Sequence, residues 1–221
     1  MIRAVIFDLD NVLADSEKLH FRAFSAVFAD HGKVLDQAVY DRLVLGLSDK
    51  VGMANLLGHF SLKADVRKLI AKKHRLFLAL AKDDLFPVPG SVGFLRSLHG
   101  KFKLALATGS ELKEATLMIS KLGIKGLFDA VLTAEDIKRS KPDPEIYLKA
   151  AKRLGVHPDD CVVIEDSPSG VEAAKSAGMF CIGVPTSVSA RKLGRADIII
   201  ENFDEIRDMK SLLALVSVMS I

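Results

Sequence analysis

Apolar residues fall into two kinds of stretch in this chain, short unbroken runs and longer segments at helical spacing. The first short run, Ala4-Val5-Ile6-Phe7, reads as a buried strand. It stops at Asp8 and Asp10, whose side chains, two apart in extended backbone, point the same way. From Ser16 to Asp30 the pattern changes: Leu19, Ala23, Ala26 and Val27, with Phe24 and Phe28 beside them, recur as one face of a helix, and His31-Gly32 closes it. Helical spacing returns at about 36–45, 50–57 and 63–80, with a polar turn at Gly46-Leu47-Ser48-Asp49-Lys50. Nothing over roughly 15–84 alternates as a strand does. The pattern predicts an all-helical segment inserted directly after the first strand.

Two prolines and a glycine in Phe86-Pro87-Val88-Pro89-Gly90 end the helical pattern, and strands and helices then alternate. Strands are predicted at 103–107, 130–132, 161–164, 180–184 and 197–200. Helices are predicted at 92–98, 111–122, 144–154, 170–177 and about 205–218, with Asp143 as N-cap and Pro144 at the first helical position of the third. Such alternation means a parallel sheet covered by helices. The expected fold is therefore α/β: a Rossmann-like parallel sheet core, residues 1–14 and 85–221, carrying an inserted all-helical cap domain, residues 15–84. Ligands of such sheets bind outside the carboxyl ends of the strands. Asp8, Asp10, Thr108, Gly109, Ser110, Glu165 and Asp166 all fall at those ends, and the helical insertion starts from the same edge, positioned to act as a lid.

Composition narrows the function. The 221 residues are nearly half hydrophobic, with scattered basic residues and a formal net charge of only +3. That excludes disorder and gives no footprint for nucleic acid. Cys161 and Cys181 each open an apolar run and read as buried free thiols of a reducing compartment. The acidic pair interrupts the only apolar run near the N-terminus, and no stretch approaches the roughly 18 apolar residues of a membrane span. A cytoplasmic protein that acts as a monomer and engages no membrane is expected.

An Asp-rich turn after one strand is common. Three or four carboxylates at one sheet edge repel each other, so a positive charge is expected among them. An all-oxygen donor set suits Mg²⁺. Thr108, read as a hydroxyl at a helix N-terminus, offers a seat for phosphate, and Lys141 in a polar loop adds charge. One carboxylate can then serve as nucleophile and another as proton shuttle.

Four stretches in order carry a resemblance. They are Phe7-Asp8-Leu9-Asp10-Asn11-Val12-Leu13, Thr108-Gly109-Ser110, Lys141 within Ser140-Lys141-Pro142-Asp143-Pro144, and Ile164-Glu165-Asp166-Ser167-Pro168-Ser169-Gly170. The chain resembles the haloacid dehalogenase-like (HAD) hydrolases. Within them it is similar to the helical-cap subgroup that contains β-phosphoglucomutase and many sugar-phosphate phosphatases. The resemblance implies that Asp8 forms an aspartyl-phosphate and that Asp10 protonates the leaving oxygen, then activates water. It implies that Thr108, Gly109, Ser110 and Lys141 hold the phosphoryl group. Mg²⁺ would be bound by Asp8, Asp166 and the Asp10 carbonyl, with Glu165 as a further ligand or a support behind them. One position departs from the pattern: Asn11 stands where glycine is usual, and Asn tolerates a positive φ better than most residues.

The resemblance places His20, Ser48, Lys50 and Lys73 of the cap at the substrate. Read from the residues alone, His20 could be a helix-face residue and Lys73 part of a solvated basic face. β-Phosphoglucomutase has an arginine for the substrate's distal phosphate where this chain has Asp49, and a carboxylate repels a second phosphate, although Lys50 could take the arginine's place after a one-residue shift. The expectation is a Mg²⁺-dependent phosphatase of a small phosphorylated metabolite, a sugar phosphate, with a phosphomutase as the alternative. A catalytically dead binding scaffold is disfavoured because every catalytic position is filled. A true haloacid dehalogenase is disfavoured by Asp10 and Asp166.

Overall fold

The computed structural model describes residues 1–218. The chain forms two compact units, one of residues 16–85 and one of residues 1–15 with the chain from Phe86 onward.

The second of these is the sheet unit. Its strands are β1 (Ala4–Phe7), β4 (Lys103–Ala107), β5 (Ala130–Leu132), β6 (Cys161–Glu165), β7 (Phe180–Gly183) and β8 (Ile198–Ile199), all parallel in the order β5-β4-β1-β6-β7-β8. A two-residue antiparallel ladder, β2 (Ala14–Asp15) with β3 (Phe86–Pro87), joins the chain where it leaves and re-enters this unit. The sequence shows only a turn there, because two residues are too short to set a period. The helices are α5 (Ser91–Leu98), α6 (Leu112–Lys121), α7 (Glu145–Leu154), α8 (Pro168–Ser176) and α9 (Met209–Val218).

Every residue of β1 and β6 is buried, as in a sheet covered on both faces. Alternate side chains sort between the faces. Ala4, Ile6, Ala105, Ala107, Val163 and Cys181 join one apolar cluster with Ile146, Tyr147 and Ala150 of α7 and Val171 and Ala174 of α8. On the other face Phe7 meets Phe94 of α5, ring centroids 6.0 Å apart. Helix α7 starts at Glu145, one residue later than the Asp-Pro pattern suggests; the Asp143 carboxylate accepts the Glu145 amide at 3.0 Å and caps from two residues back.

The helical unit contains α1 (Glu17–Ala29), α2 (Gln37–Leu43), α3 (Asp49–His59) and α4 (Val66–Asp84). Phe24, Val27 and Phe28 of α1 share a core with Tyr40, Met53, Leu56 and Leu69. Helix α4 begins at Val66 rather than Lys63 because the Asp65 carboxylate caps the Arg67 and Lys68 amides. It also runs four residues past Leu80, through a charged last turn that carries no apolar period. Among the described residues no helix is long and apolar enough to cross a membrane.

Candidate active site

The three central strands β4, β1 and β6 end side by side, and each delivers a polar residue at its carboxyl end. Asp8 follows β1, Thr108 follows β4, and Glu165 closes β6 with Asp166 next. Lys141 comes from the loop between β5 and α7. Its Nζ donates to Asp8 Oδ1 at 2.7 Å, Glu165 Oε1 at 2.6 Å and the Ala107 carbonyl at 3.3 Å. One ammonium therefore joins the ends of all three strands.

Glu165 is fully buried and its carboxylate is engaged at both oxygens. Oε1 accepts Lys141 Nζ and, at 2.7 Å, the Tyr147 hydroxyl. Oε2 accepts the Asp166 amide, the Ser167 amide and Ser167 Oγ, each at 2.9 Å. Five donors leave this carboxylate poorly suited to bind a metal directly; it fits the alternative role, holding Lys141. Burial works to raise its pKa, but Lys141 and the other donors hold it below the ordinary value.

Asp8 and Asp166 stand differently. Burial, opposed by Lys141 and reinforced by Glu165 and Asp10, pushes Asp8 up to about 7. Burial, with the charges of Glu165 and Asp8, pushes Asp166 well above its ordinary value. Lys141 is raised despite its burial, by Asp8 and Glu165. Three buried carboxylates thus share one ammonium, and that charge deficit fits a hard divalent cation. Mg²⁺ is such a cation: it takes one or two carboxylates and keeps waters and phosphate oxygens for the rest.

Asp10 is half-buried beside the loop after β4. Its Oδ2 accepts Ser110 Oγ at 2.6 Å and Thr108 Oγ1 at 3.3 Å, and Thr108 Oγ1 in turn accepts the Ser110 amide at 3.0 Å. Gly109 between them is exposed. The sequence reading of Thr108 as sitting at a helix N-terminus needs correcting. Helix α6 starts four residues later, and its first amide, Leu112, donates to both Glu135 oxygens at 3.0 Å. Any phosphate seat here belongs to the loop 108–110 and Lys141, not to the helix end.

Asn11 has φ 56° and is buried. Its amide donates to Ala14 O at 2.7 Å and its carbonyl accepts Thr186 Oγ1 at 2.5 Å, which fixes the tight turn after Asp10. Asn11→Gly should leave stability within about 1 kcal/mol, whereas a β-branched side chain there costs about 1–3 kcal/mol. Urea unfolding of Asn11→Gly and Asn11→Val checks this; equal stability of the two would show that φ does not govern the position.

Within the helical unit, Lys73 is not on a solvated face. It is wholly buried, with Nζ 2.7 Å from Asp49 Oδ2 and 5.7 and 5.1 Å from the ring centroids of Phe24 and Phe77. His74 Nε2 lies 2.8 Å from the same Asp49 oxygen. His20 stacks on Phe77, centroids 4.2 Å apart, and its charge acts on Asp49. Burial would raise Asp49, but Lys73, His74 and His20 hold it far below the carboxylate range. Ser48 and Lys50, either side of Asp49 at the start of α3, are exposed. In the sequence His74 carries no signal of this role and Asp49 reads only as a repulsive charge, since nothing local ties it to a lysine 24 positions away. Lys73→Met removes the ammonium from a buried pair, and should destabilise the protein by about 2–3 kcal/mol in urea unfolding. A change below about 0.5 kcal/mol would contradict a pair of that weight.

The chain matches the haloacid dehalogenase-like hydrolase family over residues 2–178. A phosphorylated carbohydrates phosphatase of Thermotoga maritima is 38% identical over 183 residues, 80% of this chain and 82% of the relative. The β-phosphoglucomutase of Bacillus subtilis is 34% identical over 192 residues, 83% of each chain. The crystal structure of CbbY from Rhodobacter sphaeroides in complex with phosphate superposes with a TM-score of 0.86 at 30% identity, covering 96% of this chain and 99% of that one.

Proposed function

Because the chain belongs to the haloacid dehalogenase-like hydrolase family and is a phosphatase of a small phosphorylated metabolite, we propose that its substrate is a sugar phosphate and that Asp8 is the nucleophile. The observation that carries this reading is Lys141 Nζ on Asp8 Oδ1, with Asp10 held alongside by Ser110 and Thr108.

Asp8 attacks phosphorus, the ester P–O bond breaks, and an aspartyl-phosphate forms. Asp10 gives its proton to the departing sugar oxygen. It then takes a proton from the water that attacks phosphorus, which frees phosphate and restores the Asp8 carboxylate. Lys141, Thr108, Gly109 and Ser110 orient the phosphoryl group, whose charge spreads over three oxygens. Asp8 and Asp166, with the Asp10 carbonyl, would hold Mg²⁺. When bound, that ion supplies further neutralisation of phosphoryl charge. Two free buried thiols, Cys161 and Cys181, support a cytoplasmic location.

Mass spectrometry of the Asp10→Asn variant tests the division of labour. With acetyl phosphate, whose leaving group needs no proton, Asp8 should be phosphorylated and should stay so, since no base activates water. Rapid phosphate release by this variant would remove Asp10 from the second step.

The second reading, a phosphomutase, rests on the Bacillus subtilis relative. It keeps the same first step and returns the phosphoryl group to a sugar hydroxyl. Holding a bisphosphate requires a cation at its far end; where β-phosphoglucomutase has an arginine this chain has Asp49, with Lys50 next to it.

A further inference from the structure

Tyr147 lies on the buried face of α7 and has no part in the chemistry just described, yet it reaches the centre of the charge cluster. We propose that Tyr147 is a positioning residue of the phosphatase reaction: its hydroxyl shares Glu165 Oε1 with Lys141 Nζ and so sets how Lys141 divides itself between Glu165 and Asp8.

The geometry is specific. The Tyr147 hydroxyl donates to Glu165 Oε1 at 2.7 Å, and Lys141 Nζ donates to the same oxygen at 2.6 Å. The Tyr147 ring centroid lies 5.0 Å from that Nζ. The residue therefore touches both partners of the ion pair. Oε2 of Glu165 is fixed by three donors from residues 166 and 167, so the carboxylate cannot turn to relieve Oε1. A phenol donor on Oε1 takes up part of its negative charge. Lys141 is then bound less exclusively by Glu165, and remains on Asp8 Oδ1 at 2.7 Å. Without the hydroxyl, Oε1 has only the ammonium to satisfy it, and Nζ shifts towards Glu165 and away from Asp8.

Packing alone is the competing account, since Tyr147 is fully buried among Ile146, Ala150 and Ala151. Phenylalanine separates the two, because it keeps the ring and removes only the hydroxyl. The proposal rests on the phosphatase reading, so its test pairs kinetics with a measurement that needs no turnover. Tyr147→Phe should lower kcat on p-nitrophenyl phosphate by about fivefold to tenfold with KM changed less than twofold, the mark of a contact that matters in the transition state. In the crystal structure of the same variant, Nζ of Lys141 should have left hydrogen-bond range of Asp8 Oδ1. An Nζ still bonded to Asp8 overturns the proposal, whatever the rate does, because the effect then does not travel through Lys141. An unchanged kcat overturns it as well. Absence of phosphate release by the wild-type enzyme would instead defeat the phosphatase reading, and the position of Nζ would still decide this one.

Discussion

Replacing Asp8 by Asn lowers the rate of phosphate release by about four orders of magnitude or more, the size of loss seen when a covalent nucleophile is removed. The amide has the shape of the carboxylate, so the fold is kept while the attacking oxygen is lost. The same variant has a second, less usual signature. Burial raises the Asp8 carboxyl from 3.8 to about 7, so folding disfavours its charged form. Between those two values the folded state binds more protons than the unfolded one. Stability therefore falls as pH rises from about 4 to about 7, and the deficit persists above that window. In EDTA at pH 8, Asp8→Asn should melt above the wild-type protein, and the gap should close as pH falls towards 4. A lower melting temperature for the variant at pH 8 would contradict this account of the charge cluster, even if turnover is lost as expected.

Gly170→Ala is the second large effect, and its sign is opposite to the usual one. Glycine to alanine inside a helix normally stabilises by up to about 1 kcal/mol. Here a Cβ would stand 1.7 Å from Glu165 Oε1 and 1.9 Å from its Cδ. The first turn of α8 leaves room for the Glu165 carboxylate only because residue 170 has no side chain. Five donors and complete burial hold that carboxylate, so it cannot move aside without breaking the contacts that place Lys141. The substitution should cost about 3 kcal/mol or more in stability and about a hundredfold or more in kcat. Gly93 of α5 is the control, since a Cβ there meets nothing within 4 Å. Gly93→Ala should be neutral or slightly stabilising with unchanged turnover. Denaturant unfolding and steady-state kinetics of both variants decide the matter; a well-folded, active Gly170→Ala would show that Glu165 can relocate freely.

The fold class was readable because its signals are local. A four-residue apolar run ending in carboxylates marks a buried strand end, and helical spacing over 16–30 marks a helix, whatever else the chain does. Asn11 was readable for the same reason: its positive φ belongs to the turn it sits in. What was missed depends on long-range placement. Tyr147 occupies an apolar-face position of α7, and periodicity cannot tell that its hydroxyl meets Glu165, 18 residues on. Gly170 reads as a glycine in a helix start until the carboxylate against it is known. Lys73 sits in a run of four basic residues that looks solvated, and only packing with Phe24, Phe77 and Asp49 buries it. Thr108 reads as the start of a helix because nothing local shows that Glu135, far along the chain, takes the first amide of α6.

The most direct test of a phosphatase is ³¹P NMR of the purified protein with Mg²⁺ and a panel of sugar phosphates, including β-glucose 1-phosphate with a trace of its 1,6-bisphosphate. The inorganic phosphate resonance should grow with at least one sugar phosphate, and should not grow with Asp8→Asn. Conversion of the 1-phosphate resonance to a 6-phosphate with little free phosphate would contradict the account, and would make the enzyme a mutase that holds a bisphosphate despite Asp49.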